Sequence, residues 1–455
     1  MSVRLLDTLT GTLQELPPAP YEVKLYVCGI TPYSSSHIGH AVPIIVFDAL
    51  VRYLRYRGYA VRHVTNFTDI DDKLIAAAEA QNTTVKALAD KFSDQYLGSL
   101  KRLNARPADV YPRATEEISR IVEITQGLIE RGYAYESEGD VYYRVRKKDD
   151  YGKLSHRKID DLKSGARIDP TERKEDPLDF ALWKGAKPGE PSWDSPFGPG
   201  RPGWHIECSA MSYGHLGEQI DIHGGGADLI FPHHENEIAQ TEGFTGKAPF
   251  AKVWMHNALL QMDSDKMSKS TGNVVDLDAV IDRWGADAIR LFILSSHYRS
   301  PLTYSEEALQ AAGRGAERMR AAAFATPSGT IPGPDVSGLR EQFEGHMDDD
   351  LGTAEAIAVL FDLVRLINRE RDAGHDTRAM QELLRELAGV LGFGLEAAHG
   401  GSRDADPFID LLVQVRTEMR AAKQWAFSDQ IRDGLKELGV ELKDSAEGTI
   451  WIVSP

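Results

Sequence analysis

Early in the chain, two strand-like runs each hand over to a helix-compatible stretch, and this alternation narrows the fold more than any other feature. Residues 24–28 (KLYVC) read as a short buried strand, broken by Gly29, Pro32 and three serines and followed by an apolar helical stretch over 38–54. Residues 60–67 repeat the strand pattern, end in a polar turn at 68–72, and lead into one long helical stretch from about 73 to 103. Such alternation predicts a parallel α/β sheet, with ligands bound beyond the strand ends.

The pattern then breaks. Residues 108–203 read as an insertion: a helix, a strand over 140–145, and a loop-rich stretch punctuated by Pro177, Pro188, Pro191, Pro196, Pro199 and Pro202. Strand candidates at 219–223 and 252–255 and a helical region at 276–295 resume the α/β pattern. Past Tyr304 the chain reads as helical throughout, with turn-rich interruptions at 326–338 and 399–407, the second of which sets off a small C-terminal unit. At 455 residues several domains are needed, because one core stops growing well before that length.

Composition removes several function classes. No apolar run is long enough to cross a bilayer, and the N-terminus lacks the basic-then-apolar layout of a secretion signal, so a cytoplasmic protein with no membrane partner is expected. With only Cys28 and Cys208 there is no disulfide framework; each cysteine is buried, catalytic or metal-bound. A net charge of −17 argues against an indiscriminate polyanion binder, yet leaves room for an RNA recognised by shape and a few unpaired bases.

Three groups of residues carry chemistry. His37, Gly39 and His40 fall where the first strand gives way to the first helix, where free N–H groups and two imidazoles on one face suit phosphate. The string alone is equally compatible with two surface histidines. Lys266 and Lys269 in KMSKS, followed by Thr271 and Gly272, form a small basic loop that either is merely solvated or closes over a triphosphate. His233 and Glu237 stand four apart, on one face of a helix, and with Cys28 and Cys208 would make a borderline-soft tetrahedral donor set for Zn²⁺. Spacing does not establish that set, since no C-x-x-C pair exists and either cysteine could be a small core residue.

HIGH at 37–40 and KMSKS at 266–270 together resemble the paired elements of class I aminoacyl-tRNA synthetases. YVCGITPY, NFTDIDDK, PGWHIECSAM and DIHGGGADLIFPHHENEIAQ are each similar to strings of the cysteinyl-tRNA synthetases, and the resemblance spans essentially the whole chain. It implies a Rossmann-type catalytic domain split into 1–107 and 204–303 by the insertion at 108–203, a helical bundle at 304–400 and an anticodon-binding domain at 401–455. It puts zinc on Cys28, Cys208, His233 and Glu237, leaves His234 outside the ligand set, and surrounds the cysteine with Gly29, Thr68 and Trp204.

ATP, with Mg²⁺, is then expected on His37, Gly39, His40, His223, Gly224, Gly225, Gly226, Asp228 and Lys269. The catalytic charges are those of His37, His40, Lys266 and Lys269. The tail AKQWAFSDQIRDGLKELGVELKDSAEGTIW resembles the family's anticodon-reading end, which assigns Arg420, Trp425, Asp429, Arg432 and Asp444 to tRNA. From pattern alone, the first reading of Trp425 is the core of an amphipathic helix with a solvated face. Val42 stands where the family more often has a basic residue.

The implied enzyme is a monomer that activates L-cysteine as cysteinyl-adenylate and transfers it to tRNA(Cys), with zinc reading the thiol. Two rivals share parts of this pattern. A cysteine ligase of the mycothiol-biosynthesis type would lack the complete tRNA-binding tail, and a non-catalytic zinc-stabilised tRNA-binding paralogue would carry damaged HIGH or KMSKS elements; here tail and motifs are intact.

Overall fold

The structure is a computed structural model that describes residues 2–159, 174–262, 275–326, 329, 331–395, 406–445 and 448–453. The chain divides into two compact units, Met1–Gly394 and Leu395–Pro455.

The first unit is built on a four-stranded parallel sheet in the order Ala251–Asn257, Ile220–Gly226, Glu22–Ile30, Ala60–Phe67. Its strands are apolar along much of their length because helices cover both faces. The two central strands come from distant parts of the chain and wind outward in opposite directions. Their boundary is therefore a topological switch point, where ligands of doubly wound sheets bind.

Helix Ala41–Tyr56 follows the first of these strands through a short turn at Ile38–His40 and buries Ile45, Phe47 and Leu50 against the sheet. The single helix expected from 73 to 103 is two, Asp72–Ala80 and Val85–Arg102. The reason is local: Asn82 is left-handed at φ 48°, and the Thr84 side chain accepts from Ala87 N to start the second helix.

The insertion is more regular than its sequence suggests. Besides helix Ile118–Glu130 it holds a four-stranded antiparallel sheet of Ala134–Ser137, Asp140–Tyr143, Phe180–Gly185 and Gly200–Pro202, where only the second strand was expected. Glu138 and Gly139, both at positive φ, make the tight hairpin turn between the first two. Pro202 ends the last, short strand, a position that demands little of a missing N–H.

Beyond Tyr304 the first unit is mostly helical, with Glu306–Ala323, Ser337–Met347, Thr353–Asp372 and Arg378–Val390, interrupted by the two-residue pair Ile331–Pro332 and His375–Asp376. The second unit contains helices Asp406–Ala421 and Trp425–Glu437. It closes in an antiparallel hairpin, Val440–Ser445 with Gly448–Val453, which corrects the expectation of helix throughout. Among the described residues no helix is long and apolar enough to cross a membrane.

Candidate active site

Strand parity and one break in the sheet ladder build the site. Pairing between Glu22–Ile30 and Ala60–Phe67 slips between Val27 and Ile30, which releases Cys28 and Gly29 from regular register at the switch point. The freed Gly29 N–H donates to Asn66 Oδ1 at 2.9 Å, and Asn66 Nδ2 donates to Thr68 Oγ1 at 3.2 Å. A side chain at Gly29 would sit 1.8 Å from the Asn66 carbonyl oxygen, so only glycine permits this approach.

Cys28 lies on the same face as Tyr26, whose register partner is His223. Onto that face fold helix Trp204–Leu216, carrying Cys208, and the turn Ile230–His234 running into helix Glu235–Thr245, carrying His233 and Glu237. The four side chains meet there. Cys28 Sγ is 3.7 Å from Cys208 Sγ and 3.5 Å from Glu237 Oε1, and His233 Nε2 is 3.1 Å from Glu237 Oε1. All four donor atoms lie within 4.8 Å of one another, all four residues are buried, and both cysteines are free thiols. Together they form a donor set that could hold a metal ion.

The ring around them is equally organised. Glu237 turns its other oxygen, Oε2, to His223 Nε2 at 2.9 Å, and His205 Nδ1 faces His233 Nδ1 at 2.9 Å. The exposed indole of Trp204 stacks on the His233 ring with centroids 4.5 Å apart. Outer partners of this kind orient metal ligands.

Charge is redistributed accordingly. Burial pushes the Cys28 thiol well up, while the hydrogen bond from Cys28 brings Cys208 down to about 6 against its own burial. Burial favours neutral His233, but the charges of Cys208 and Glu237 overcome it and raise the imidazole to about 10. Glu237, likewise against burial, is held down to about 2 by His223 and His233. The cluster thus keeps a thiolate and a carboxylate around one positive charge, the electrostatic condition a bound cation would satisfy.

A second donor set overlaps the first: Cys28, His223, His234 and Glu237 also lie within 4.8 Å of one another. His234, which the resemblance leaves out of the ligand set, brings Nε2 to 3.3 Å from Cys28 Sγ. Its Nδ1 is held by His256 Nε2 at 2.8 Å, and His256 Nδ1 reaches Thr8 Oγ1 at 2.8 Å. Access separates the sets: Cys28, Cys208 and His233 line the adjoining cavity, and His223 and His234 do not.

That cavity, of about 390 Å³, brings most of the expected residues together. Gly29, Thr68 and Trp204 line it beside the two cysteines and His233, His37, Gly39 and His40 line another wall, and Gly226 and Asp228 a third. The His37 and His40 rings stack at 3.9 Å.

His223, Gly224 and Gly225, expected around the adenosine, lie off the cavity wall, and parity explains why. His223 and Gly225 face the donor cluster, where a side chain at Gly225 would strike His234, whereas Gly224 faces the first helix and makes room for Phe47. Sequence reading passed over Asn66, His205 and Glu207. Each sits inside a string quoted above, but only the folded geometry distinguishes them from their neighbours. Glu207 is fully buried, and burial raises its carboxyl well above the usual range against a side-chain hydrogen bond with Thr68.

Lys266 and Lys269 lie outside the described residues. The chain just beyond them is tied to the HIGH turn: Ile38 N donates to Val275 O and Leu277 N to Ser36 O, both at 3.0 Å. In the second unit Trp425 opens helix Trp425–Glu437 and is 56 % exposed, which removes the reading of it as a core residue. Arg432 pairs with Asp429 at 3.2 Å on the same helix. Arg420 falls in the last turn of helix Asp406–Ala421, and Asp444 lies on strand Val440–Ser445, its side chain outside the described residues. Arg416, also basic, is instead buried and reaches Thr449 Oγ1 at 3.4 Å.

Comparison with known proteins converges on one family. Residues 15–314 match the family model described as tRNA synthetases class I (C) catalytic domain, and residues 342–396 match the DALR domain. Proteins named cysteine–tRNA ligase from Dehalococcoides mccartyi and Brevibacillus brevis are 55 % and 48 % identical to the chain, each over 99 % of both sequences. The fold is shared with a solved methionyl-tRNA synthetase of Mycobacterium tuberculosis, at a TM-score of 0.60 and 19 % identity, covering 81 % of this chain and 89 % of that one. The chain belongs to the cysteinyl-tRNA synthetases, a family of the class I aminoacyl-tRNA synthetases.

Proposed function

We propose that the chain activates L-cysteine with ATP and transfers the cysteinyl group to tRNA(Cys), and that Cys28, Cys208, His233 and Glu237 hold a zinc ion that reads the substrate thiol. One observation carries this reading: a buried two-thiol, imidazole and carboxylate cluster opens onto the same cavity as His37, Gly39 and His40. When bound there, zinc would supply strong preference for a thiolate over a hydroxyl. Discrimination against serine and alanine needs such a device, because pocket shape contributes only a few kcal/mol per group.

The chain's own residues do the rest. Gly29, Thr68 and Trp204 hold the amino acid against the cluster, with its carboxylate toward the HIGH turn. His37 and His40 donate to the phosphates, aided by the N-terminal end of helix Ala41–Tyr56, and Lys266 and Lys269 close on the departing pyrophosphate with Mg²⁺. Gly226 and Asp228 support the adenosine. The substrate carboxylate oxygen bonds to the α-phosphorus as the bond to pyrophosphate breaks, so no protein nucleophile is required and catalysis is positioning and charge stabilisation. The terminal ribose hydroxyl of the tRNA then attacks the acyl carbon and AMP leaves. Arg420, Trp425, Asp429, Arg432 and Asp444 read the anticodon.

Cysteine-dependent exchange of pyrophosphate into ATP, followed by charging of purified tRNA(Cys), tests the assignment. Exchange with cysteine and little with serine is expected. Absence of exchange, or exchange with serine at a comparable rate, overturns it.

A further inference from the structure

Between the ligands His233 and Glu237 stands a second carboxyl, Glu235, which is buried and opens helix Glu235–Thr245. A helix turns about 100° per residue, so a side chain two places before Glu237 leaves from nearly the opposite side. What Glu235 meets there belongs to the insertion. Its Oε2 accepts from Leu154 N at 3.1 Å and from Ser155 N and Ser155 Oγ, both at 2.9 Å. A buried carboxyl is costly unless donors answer it, and here a single short stretch of chain supplies all three.

That stretch also grips the ligand-bearing element before and after Glu235. Lys148 and Lys153 pair with Glu242 at 2.8 and 2.7 Å, Tyr151 donates to Asn236 Oδ1, and the Arg157 guanidinium lies over the Phe231 ring at 4.7 Å. Its own shape is set at Gly152, which has φ 96° and where a side chain would sit 2.0 Å from Arg157 O. Residues 148–157 thus form a strap, closed on itself and fastened along the turn and helix that carry His233 and Glu237. Metal ligands have a tolerance of roughly 0.2 Å, so whatever fixes that helix also fixes how its two donors meet those of Cys28 and Cys208.

We propose that Glu235 is a positioning residue for the metal: through it the strap sets how far His233 and Glu237 reach toward the two cysteines, and so keeps open the coordination position that the substrate thiol takes. The inference rests on the proposed function and deepens it, by giving the insertion a part in selecting the amino acid.

The test uses the full chain and three measurements: zinc affinity by competition with a chelator, and KM for cysteine and for ATP in pyrophosphate exchange. Glu235→Ala is expected to weaken zinc binding about tenfold or more and to raise KM for cysteine by a similar factor, with KM for ATP within about twofold of the wild type. Glu235→Gln, whose amide oxygen can accept from the same donors, is expected to restore both, and Ser155→Ala, which removes one bond of the three, to shift both by about threefold. If Glu235→Ala yields no folded protein, Glu235→Asp, one methylene too short to reach the strap, carries the same expectations. Wild-type zinc affinity and cysteine KM alongside a lowered melting temperature would make Glu235 merely structural and overturn the proposal, as would a KM for ATP that rises as much as that for cysteine. Absence of zinc or of exchange in the wild type instead overturns the proposed function, and is recognised before any variant is compared.

Discussion

Gly29 shows how much a single residue can decide. Its missing side chain lets Asn66 approach closely enough to clamp both the strand end and Thr68, so Gly29→Ala forces backbone to move at the wall of the cavity. Cysteine-dependent exchange should fall at least about a hundredfold, about 2.7 kcal/mol, while zinc content stays near one per chain; wild-type rates would remove the clamp from the account. His63, buried beneath the same cavity and hydrogen-bonded to Thr65, sets a pH dependence. Burial lowers its imidazole from 6.5 to about 4. The unfolded chain therefore takes up a proton near 6.5 that the folded chain refuses until about 4, so this contribution is complete above the unfolded value and drains away as pH falls. Between pH 7 and 5 about 2 kcal/mol should be lost. Urea melts of wild type and His63→Gln check this: the variant should lose less stability over that interval, and parallel losses would contradict the assignment. That Cys28, Cys208, His233 and Glu237 would come together was legible through the family resemblance, since type and spacing alone left either cysteine a core residue, and the structure brings the four donors together. Asn66 and Glu207 were not, because the significance of the first lies in hydrogen bonds to Gly29 and Thr68, and that of the second in a burial which only the fold reveals.

Among the elements, helix Ala41–Tyr56 and helix Leu277–Leu294 are joined by Asp48 and Arg290, both buried, and Arg290 also donates to the Leu103 and Leu391 carbonyls at 3.3 Å each. The pair ties the helix after the HIGH turn to the helix after residues 263–274 and to the end of helix Arg378–Val390. Arg290→Met should cost about 3 kcal/mol, since it strands a buried carboxylate, with Arg52 at 2.9 Å from Asp48 limiting the loss. A denaturant midpoint unchanged from wild type would contradict it. The central strands and first helix were readable because buried parallel strands are apolar and short, and the strand at 60–67 was located to the residue. The insertion's sheet was not, because its strands are brief, its turn residues outnumber its apolar ones, and Pro202 reads as a loop residue. That His223 faces Glu237 was not legible for a related reason: strand parity fixes which face a side chain occupies, and parity is counted from a register that appears only once the sheet has formed.

For the whole molecule, the separation into Met1–Gly394 and Leu395–Pro455 puts the donor cluster and the proposed anticodon residues in different compact units. Removing residues from Ser402 onward should leave cysteine-dependent exchange within about threefold while charging of tRNA(Cys) falls by about 100-fold or more, in keeping with the loss of several base contacts. Loss of both together would show that the units do not act separately. The sequence reading set off a C-terminal unit at the turn-rich stretch 399–407, whereas the structure divides after Gly394, and the closing hairpin was obscured by the helical character of the residues before it. The central claim is that the buried cluster holds a metal that touches the substrate's sulfur. It is tested most directly by replacing the metal with Co²⁺ and following the thiolate-to-metal charge-transfer absorption as amino acid is added. The account predicts that L-cysteine strengthens this band and that serine and alanine leave it unchanged; a band indifferent to cysteine, in protein that still activates it, would contradict the account.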